Sequence, residues 1–308
     1  MNPILSIIIP HFNSVDSVKK LLNTIVYIDS SKIEILLIDD NSDECLLLDL
    51  KKMISAEFNE SVRLIQNESG DFGSGAARNV GLSYAIGEWI IFADSDDVFV
   101  ENFYAEVCEN LEQGIDMIYY IPTSIDEFGN KGQRVKTYLK HYEKYFNDED
   151  EGGVRYSLPI VWSRVYNREF ILENEILFDT VKVSNDVMFS MRAGVKAKKI
   201  KVMKSTIYCW CLSNGSLTTK VSKEKFDSKM ETIIKANEYL YKSTSKDVFY
   251  KNRKTLPKPI ATSLFRNKLG ISYTIKLVFR LRKARFGLFR FSDFLSFSNF
   301  FKNNKYYN

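Results

Sequence analysis

The segment Trp89-Ile90-Ile91-Phe92-Ala93-Asp94-Ser95-Asp96-Asp97 runs an apolar, strand-like stretch straight into three carboxylates. Open α/β sheets bind their ligands beyond the carboxyl ends of their strands. A hard, oxygen-rich cluster at such an end suits Mg²⁺ or Mn²⁺ held together with a substrate phosphate. A turn or a helix cap is the plainer reading of the same acids, and Asp97 reads best as a cap. Three further places carry matching chemistry. Pro10-His11-Phe12-Asn13 brings an aromatic ring to the end of the first apolar run, and Asp39-Asp40-Asn41-Ser42 brings carboxylates to the end of the second. Arg78 follows the loop Gly70-Asp71-Phe72-Gly73-Ser74-Gly75 at the start of a helical pattern, where guanidinium and helix N–H groups both favour phosphate. Farther on, Ser184-Asn185-Asp186-Val187-Met188-Phe189 sets a lone acid at the head of another helical pattern, where a cap is again the alternative.

The elements that must position these groups are legible from periodicity. Apolar runs over residues 4–9, 35–38 and 89–93 are nearly continuous, as in strands covered on both faces of a parallel sheet. Helical spacing predicts helices over 14–28 and 76–85 between them. The resulting βαβαβ alternation implies right-handed crossovers and a doubly wound sheet, with all three strand ends on one edge. The middle predicts a helix over 101–113 and a strand over 116–121. The acidic stretch 141–153, with Asp148-Glu149-Asp150-Glu151 before Gly152-Gly153, reads as a solvated, mobile loop. From about residue 220 the pattern is helical without strand signals.

With 308 residues, 45% hydrophobic and 27% charged, the chain is an ordinary globular one, long enough for one large or two smaller domains. Its 43 basic and 39 acidic residues leave a net +4, too slight to argue for nucleic acid. Cys45, Cys108, Cys209 and Cys211 form no framework, and Cys209-x-Cys211 is too tight for the usual zinc spacing, so reduced cytosolic thiols are expected. Met1-Asn2-Pro3 lacks a basic leader, so no signal peptide is expected, and no apolar run reaches transmembrane length. The last forty-odd residues interleave Leu264, Phe265, Ile271, Ile275 and Phe279 with Arg266, Lys268, Lys276, Arg280, Arg282, Lys283 and Arg285. Asp293 is the only acid between Ser263 and Lys302. Such a basic, aromatic helix suits an anionic membrane surface, with a helical bundle or oligomer contact as the alternative.

A nucleotide-sugar pocket requires a stacking surface and an acceptor for a base, cations for the diphosphate, a Lewis acid and a base for the incoming hydroxyl. This chain offers a candidate for each. The glycine loop lacks both the third glycine of a dinucleotide fingerprint and the Lys-Ser/Thr pair of a P-loop, which argues against NAD enzymes and ATPases. Taken together, Ser6-Ile7-Ile8-Ile9-Pro10-His11-Phe12-Asn13, Ile38-Asp39-Asp40-Asn41-Ser42, Gly75-Ala76-Ala77-Arg78-Asn79-Val80-Gly81 and Gly87 through Asp97 resemble the family 2 glycosyltransferases of the GT-A fold, in order and in spacing. Val161-Trp162-Ser163-Arg164-Val165-Tyr166 and Asn185-Asp186-Val187-Met188-Phe189 are similar to that family's acceptor half.

The resemblance implies an α/β chain with a GT-A type, Rossmann-like nucleotide-binding sheet, to which the pattern from about residue 220 adds a helical C-terminal extension. It divides the chain into 1–219, comprising a nucleotide-sugar half (1–100) and an acceptor half (101–219), and a basic-aromatic region at 220–308. It implies an inverting transfer from a nucleoside diphosphate sugar, usually a UDP-sugar. Pro10, Phe12, Asp40, Arg78, Asp94 and Ser95 would hold the donor, Asp96 would ligate Mn²⁺ or Mg²⁺, and Asp186 would be the general base. Asn185 departs from the family's usual Glu, which should lower the neighbouring carboxylate's proton affinity slightly. The loop Ser213-Asn214-Gly215-Ser216-Leu217-Thr218 also resembles a family segment near the phosphates.

These features lead to the expectation of a cytoplasmic enzyme, peripheral to the inner face of the cell membrane through its C-terminal region. Its acceptor would be a lipid-linked glycan of the undecaprenyl diphosphate type, in O-antigen or capsule synthesis, with no nucleic acid partner. A sugar nucleotidyltransferase is the first alternative, opposed by the lack of a basic glycine-rich loop after the first strand. A non-catalytic binding module is the second, opposed by the presence of every key acid.

Overall fold

The computed structural model describes residues 3–58, 61–126, 128–132, 135–181, 183–212 and 222–289. Its core is built on strands too apolar to face water. Strand β1 (Leu5–His11) is buried along its whole length. Helix α1 (Val15–Asn23) follows, with Val18, Leu21 and Leu22 turned inward. It stops at Asn23, short of the predicted residue 28. Thr24, Ile25 and Val26 are β-branched and poorly suited to continue a helix, and the Thr24 hydroxyl donates to Leu21 O at 2.6 Å. Next come β2 (Ile33–Asp39), α2 (Glu44–Met53) and β3 (Val62–Gln66). Periodicity does not announce β3, because it is an edge strand with only Val62 fully buried. Helix α3 (Ser74–Tyr84) then leads into β4 (Trp89–Phe92).

The segment from residue 98 to 212 is more irregular. It contains β5 (Val98–Phe99), α4 (Phe103–Asn110), β6 (Met117–Tyr119) and β7 (Thr123–Ile125), then α5 (Lys136–Asp148) and α6 (Gly152–Tyr156). After these come β8 (Arg164–Asn167), α7 (Arg168–Glu173), α8 (Asn185–Lys196), β9 (Ile200–Val202) and β10 (Tyr208–Cys211). Seven strands make the main sheet in the order β3-β2-β1-β4-β8-β6-β9, while β5, β10 and β7 form a small second sheet. Strands β1 to β4 are mutually parallel, so their carboxyl ends share one edge, as the alternation predicted.

The acidic stretch 141–153 is not a solvated loop. Tyr138, Tyr142, Tyr145 and Phe146 recur at helical spacing, pack onto the core and make α5 amphipathic. Asp150 is buried, with Lys144 at 2.5 Å and Lys251 at 2.9 Å. Burial pushes its carboxyl up, but hydrogen bonds from these two lysines hold it down at about 2.

The C-terminal layer comprises α9 (Lys223–Ser243), α10 (Lys246–Asn252), α11 (Pro257–Ala261), a π-helical turn (Thr262–Arg266) and α12 (Ile271–Lys283). Ser222 caps α9 by accepting from Lys225 N at 3.1 Å. Helix α9 serves two apolar clusters. Ala236 and Leu240 join Met188 and Met191 of α8, whereas Phe226 and Met230 join Leu256, Leu277, Leu281 and Phe286. Along α12, Ile271, Ile275 and Phe279 form an exposed ridge, Phe279 at 72%. Among the described residues no helix is long and apolar enough to cross a membrane.

Candidate active site

The ends of β1 and β2 are turned by two asparagines in the left-handed region, Asn13 (φ 50°) and Asn41 (φ 63°), a conformation asparagine tolerates better than most residues. The two turns are tied together. Asn13 N donates to Ser42 Oγ at 2.9 Å, and Asp43 N donates to Asn13 Oδ1 at 2.8 Å. Pro10 is buried beyond Ile8, the last residue of β1 to pair with β4, so its missing N–H costs no ladder bond there. Phe12 stands 57% exposed at the sheet edge, an uncovered aromatic surface. Asp39 is buried beside His11, whose imidazole is lowered by burial although the Asp39 charge opposes this. Asp40 accepts from Asn67 Nδ2 and from the Gly73 N–H, both at 2.7 Å, which fastens the glycine loop to the end of β2.

That loop brings α3 against α8. A Cβ on Gly75 would lie 2.8 Å from Asp179 O and 3.0 Å from Asn185 Cβ, so only glycine permits the approach. One turn later Arg78 is 5% exposed, its guanidinium over the Phe178 ring at 5.2 Å. Its Nη1 donates to Asn185 Oδ1 at 2.9 Å, and its Nη2 makes a short ion pair with Asp94. Asn185 Nδ2 in turn donates to Ser74 Oγ at 2.8 Å. The amide both accepts and donates here, which a carboxylate could not do. Arg78, expected at the phosphates, is thus committed to protein groups that link the sheet edge to α8.

The turn after β4 is closed by Asp97 N donating to Asp94 O at 3.1 Å. Asp97 is 1% exposed and is not a helix cap. It accepts from Tyr208 Oη and from Cys211 N, each at 2.8 Å, while Tyr208 Oη accepts from Asp94 N at 2.8 Å. Burial, then the charges of Asp94 and Asp96, push the Asp97 carboxyl well above its ordinary range. Strand β10 therefore fixes the turn on which Asp94, Ser95 and Asp96 sit. Asp96 is the exposed carboxylate of the three, and it too is raised, by surrounding protein and by the charge of Asp94. Among the described residues no group of three or more His, Cys, Asp or Glu could hold a metal ion. One accessible carboxylate fits a hard cation that arrives with phosphate and water as its remaining ligands.

Asp186 is the second residue of α8, one step from Asn185, and is partly exposed. Burial and the charge of Asp94 push its carboxyl up to about 6, against the opposing charges of Arg78 and Lys229. A carboxylate so placed is ionised at neutral pH yet basic enough to take a proton. Beside the turn, Trp162 stacks on Tyr208 with centroids 5.5 Å apart, and Trp210 and Tyr138 flank Trp162. Sequence reasoning named neither Tyr208 nor Asn67, whose importance rests on partners distant along the chain. The loop 213–218 lies outside the described residues.

A family model described as Glycosyl transferase family 2 matches residues 6–172. A poly(ribitol-phosphate) beta-glucosyltransferase of Bacillus spizizenii is 29% identical over 239 residues, covering 75% of this chain and 36% of that protein. Among the curated relatives it matches, the chain spans 70% of one, EpsJ of Bacillus subtilis, but only 36% and 31% of two others. The crystal structure of S. aureus TarS 1-349 in complex with UDP-GlcNAc superposes with a TM-score of 0.65 at 18% identity, over 92% of this chain and 80% of that one. Mannosyltransferase PcManGT from Pyrobaculum calidifontis, in complex with GDP-Man and Mn2+, gives 0.59 at 12% identity, over 97% and 80%. The architecture is that of the GT-A fold.

Proposed function

Since the chain belongs to glycosyl transferase family 2 and is a glycosyltransferase, we propose that it moves a sugar from a UDP-sugar donor, with inversion, to a hydroxyl of a lipid-linked glycan in surface-polysaccharide synthesis. The observation that carries this reading is the bridge Asp94–Arg78–Asn185, which joins the acidic turn after β4 to the helix bearing Asp186. Phe12 offers the base a stacking face, and Asp40 offers an acceptor. Asp94 and Ser95 face the ribose and sugar, with Arg78 setting the orientation of Asp94.

In the proposed reaction the acceptor oxygen bonds to the anomeric carbon as its proton passes to a carboxylate oxygen of Asp186. The bond from that carbon to the diphosphate oxygen breaks, and UDP leaves with the electron pair. Asp96 would hold Mn²⁺ or Mg²⁺, which when bound neutralises charge developing on the departing diphosphate. The half-buried rings of Tyr138 and Trp210 suit a glycan acceptor, whose C–H faces pack on aromatic rings. The exposed ridge Ile271-Ile275-Phe279, set among Arg266, Lys268, Lys276 and Lys283, supports contact with anionic lipid at the inner face of the cell membrane. An undecaprenyl diphosphate-type acceptor resides at that surface.

A screen for UDP release from UDP-sugars, run against synthetic lipid diphosphate saccharides with and without Mn²⁺, tests the proposal. Release that depends on both acceptor and divalent ion is expected. Failure of the chain to bind UDP with Mn²⁺ present would overturn it.

A further inference from the structure

The helical layer carries a group of cations that nothing in the donor chemistry uses. Lys140 comes from α5, Lys229 from α9, Lys258 from α11 and Arg266 from the π-helical turn. Packing brings these elements together. Phe226, Met230 and Ile233, which flank Lys229 on α9, share a cluster with Leu256 and Ile260 around α11. The segment just before α11 is pinned to α6 by Lys254 Nζ donating to Tyr156 O at 3.0 Å, and α6 lies against α5 at Gly153 and His141. The chain from 248 to 289 holds no Asp or Glu.

Several acids on neighbouring elements are engaged elsewhere. Asp150 takes Lys144 and Lys251, and Asp179 takes Arg192 and Lys235. Glu231 pairs with Arg280, and Asp227 accepts from Tyr273. All four cations remain exposed, with no ion pair among the described residues. Their charges are close enough to act on one another. The proton affinity of Lys258 is lowered by burial and then by the charges of Lys229, Lys140 and Arg266. Lys229 is lowered by burial and by Arg266, while Asp186 opposes the shift. The four cations are exposed on adjoining elements, and Lys229 lies near enough to Asp186 for their charges to interact. Like charges held together without counter-ions suit a ligand that brings several negative charges.

We infer that Lys140, Lys229, Lys258 and Arg266 form a subsite for the phosphate groups of the acceptor, so that the hydroxyl reaching Asp186 belongs to a phosphate-bearing molecule. This rests on the proposed transfer reaction and narrows its acceptor. The shared chemistry is a phosphate or diphosphate, either free or at the head of a lipid.

The test is calorimetric titration of the full chain, held saturated with UDP and Mg²⁺, with inorganic diphosphate in one arm and geranyl diphosphate in the other. Wild-type chain should bind the probe without displacing UDP, and more weakly as salt rises. The double variant Lys229→Gln/Lys258→Gln should lose roughly tenfold or more in affinity, from two lost charge-assisted contacts. Lys258→Arg should bind nearly as wild type, and UDP affinity should be the same in all three. Tighter binding of geranyl diphosphate than of the inorganic ion assigns the phosphate to a lipid headgroup, and equal binding assigns it to phosphate alone. Undiminished binding by the double variant, or displacement of UDP by the probe, overturns the subsite. If UDP itself fails to bind, the donor reading falls instead, and the same titration without UDP still decides the subsite.

Discussion

The edge of the sheet and the helical layer behind α8 treat charge in opposite ways. At the sheet edge most ionic groups are answered within the chain. Asp40 is held by Asn67 and Gly73, Asp94 by Arg78, and Asp97 by Tyr208 and Cys211. Asp96 is left open. Behind α8, Lys140 of α5 and Lys229, Lys258 and Arg266 of the C-terminal layer lie near one another, with no ion pair among the described residues. A site whose dipoles are fixed before substrate arrives spends little on reorganisation, whereas unpaired cations hold their geometry in wait for an anion from outside. Under the proposed function, the difference separates a corner that would perform chemistry from a surface that would capture a partner.

The largest effect should come from the residue between the two regions. Asp186→Asn should lower kcat for sugar transfer about 10³-fold, the usual range for a general base, with UDP affinity intact by titration. Wild-type activity should fall as pH drops through about 6, because a protonated Asp186 cannot accept a proton, and the variant should show no such limb. Transfer within tenfold of wild type would move the base elsewhere. Asp96→Ala should cost about 10²-fold in kcat/KM and abolish dependence on divalent ion, measured by UDP release. An unchanged metal dependence would break the contrast at its open carboxylate.

Tyr208→Phe removes both hydrogen bonds of a buried hydroxyl and should cost about 1–3 kcal/mol in denaturant unfolding. No loss would mean that the turn is not held from β10. On the other side of the contrast, Ile275→Ser with Phe279→Ser should reduce partitioning into anionic vesicles roughly tenfold, read by co-sedimentation. The smallest effect is thermal. The folded state raises the proton affinity of Asp186 above its unfolded value, so stability declines as pH rises from the ordinary aspartate range to about 6 and stays lower beyond it. Asp186→Asn should therefore melt higher than wild type at pH 8.

Much of this was legible in the sequence where the causes are local. A buried parallel strand must be continuously apolar, and an acid directly after it must lie at the sheet edge, so β1, β2 and β4 and their terminal residues could be read along the chain. Asp97 could not, because the partners that make it a buried anchor lie 111 and 114 residues away on β10. Strand β3 escaped because an edge strand is only half buried. The acidic run before Gly152 suggested a loop, whereas Asp150 is neutralised by lysines from two helices. Asn185 looked like the loss of an anion, and its amide proves to serve Arg78 and Ser74 at once. The cationic group draws on four segments spread over more than a hundred residues, from Lys140 to Arg266, and only packing assembles it.

The guanidinium of Arg78 touches Asp94 and its charge also reaches Asp186. In the proposed reaction, donor capture and proton removal would therefore share one guanidinium. A divalent ion held by Asp96 would offset the charge of Asp94, the acid that raises Asp186, and by linkage loss of the Asp186 proton would favour the ion. Timing follows from this. The proposed base would hold its proton less firmly with the cation bound than without it. An acceptor that arrived before the ion would meet a carboxyl still partly protonated near pH 6, and one that arrived after it would meet a base ready to act.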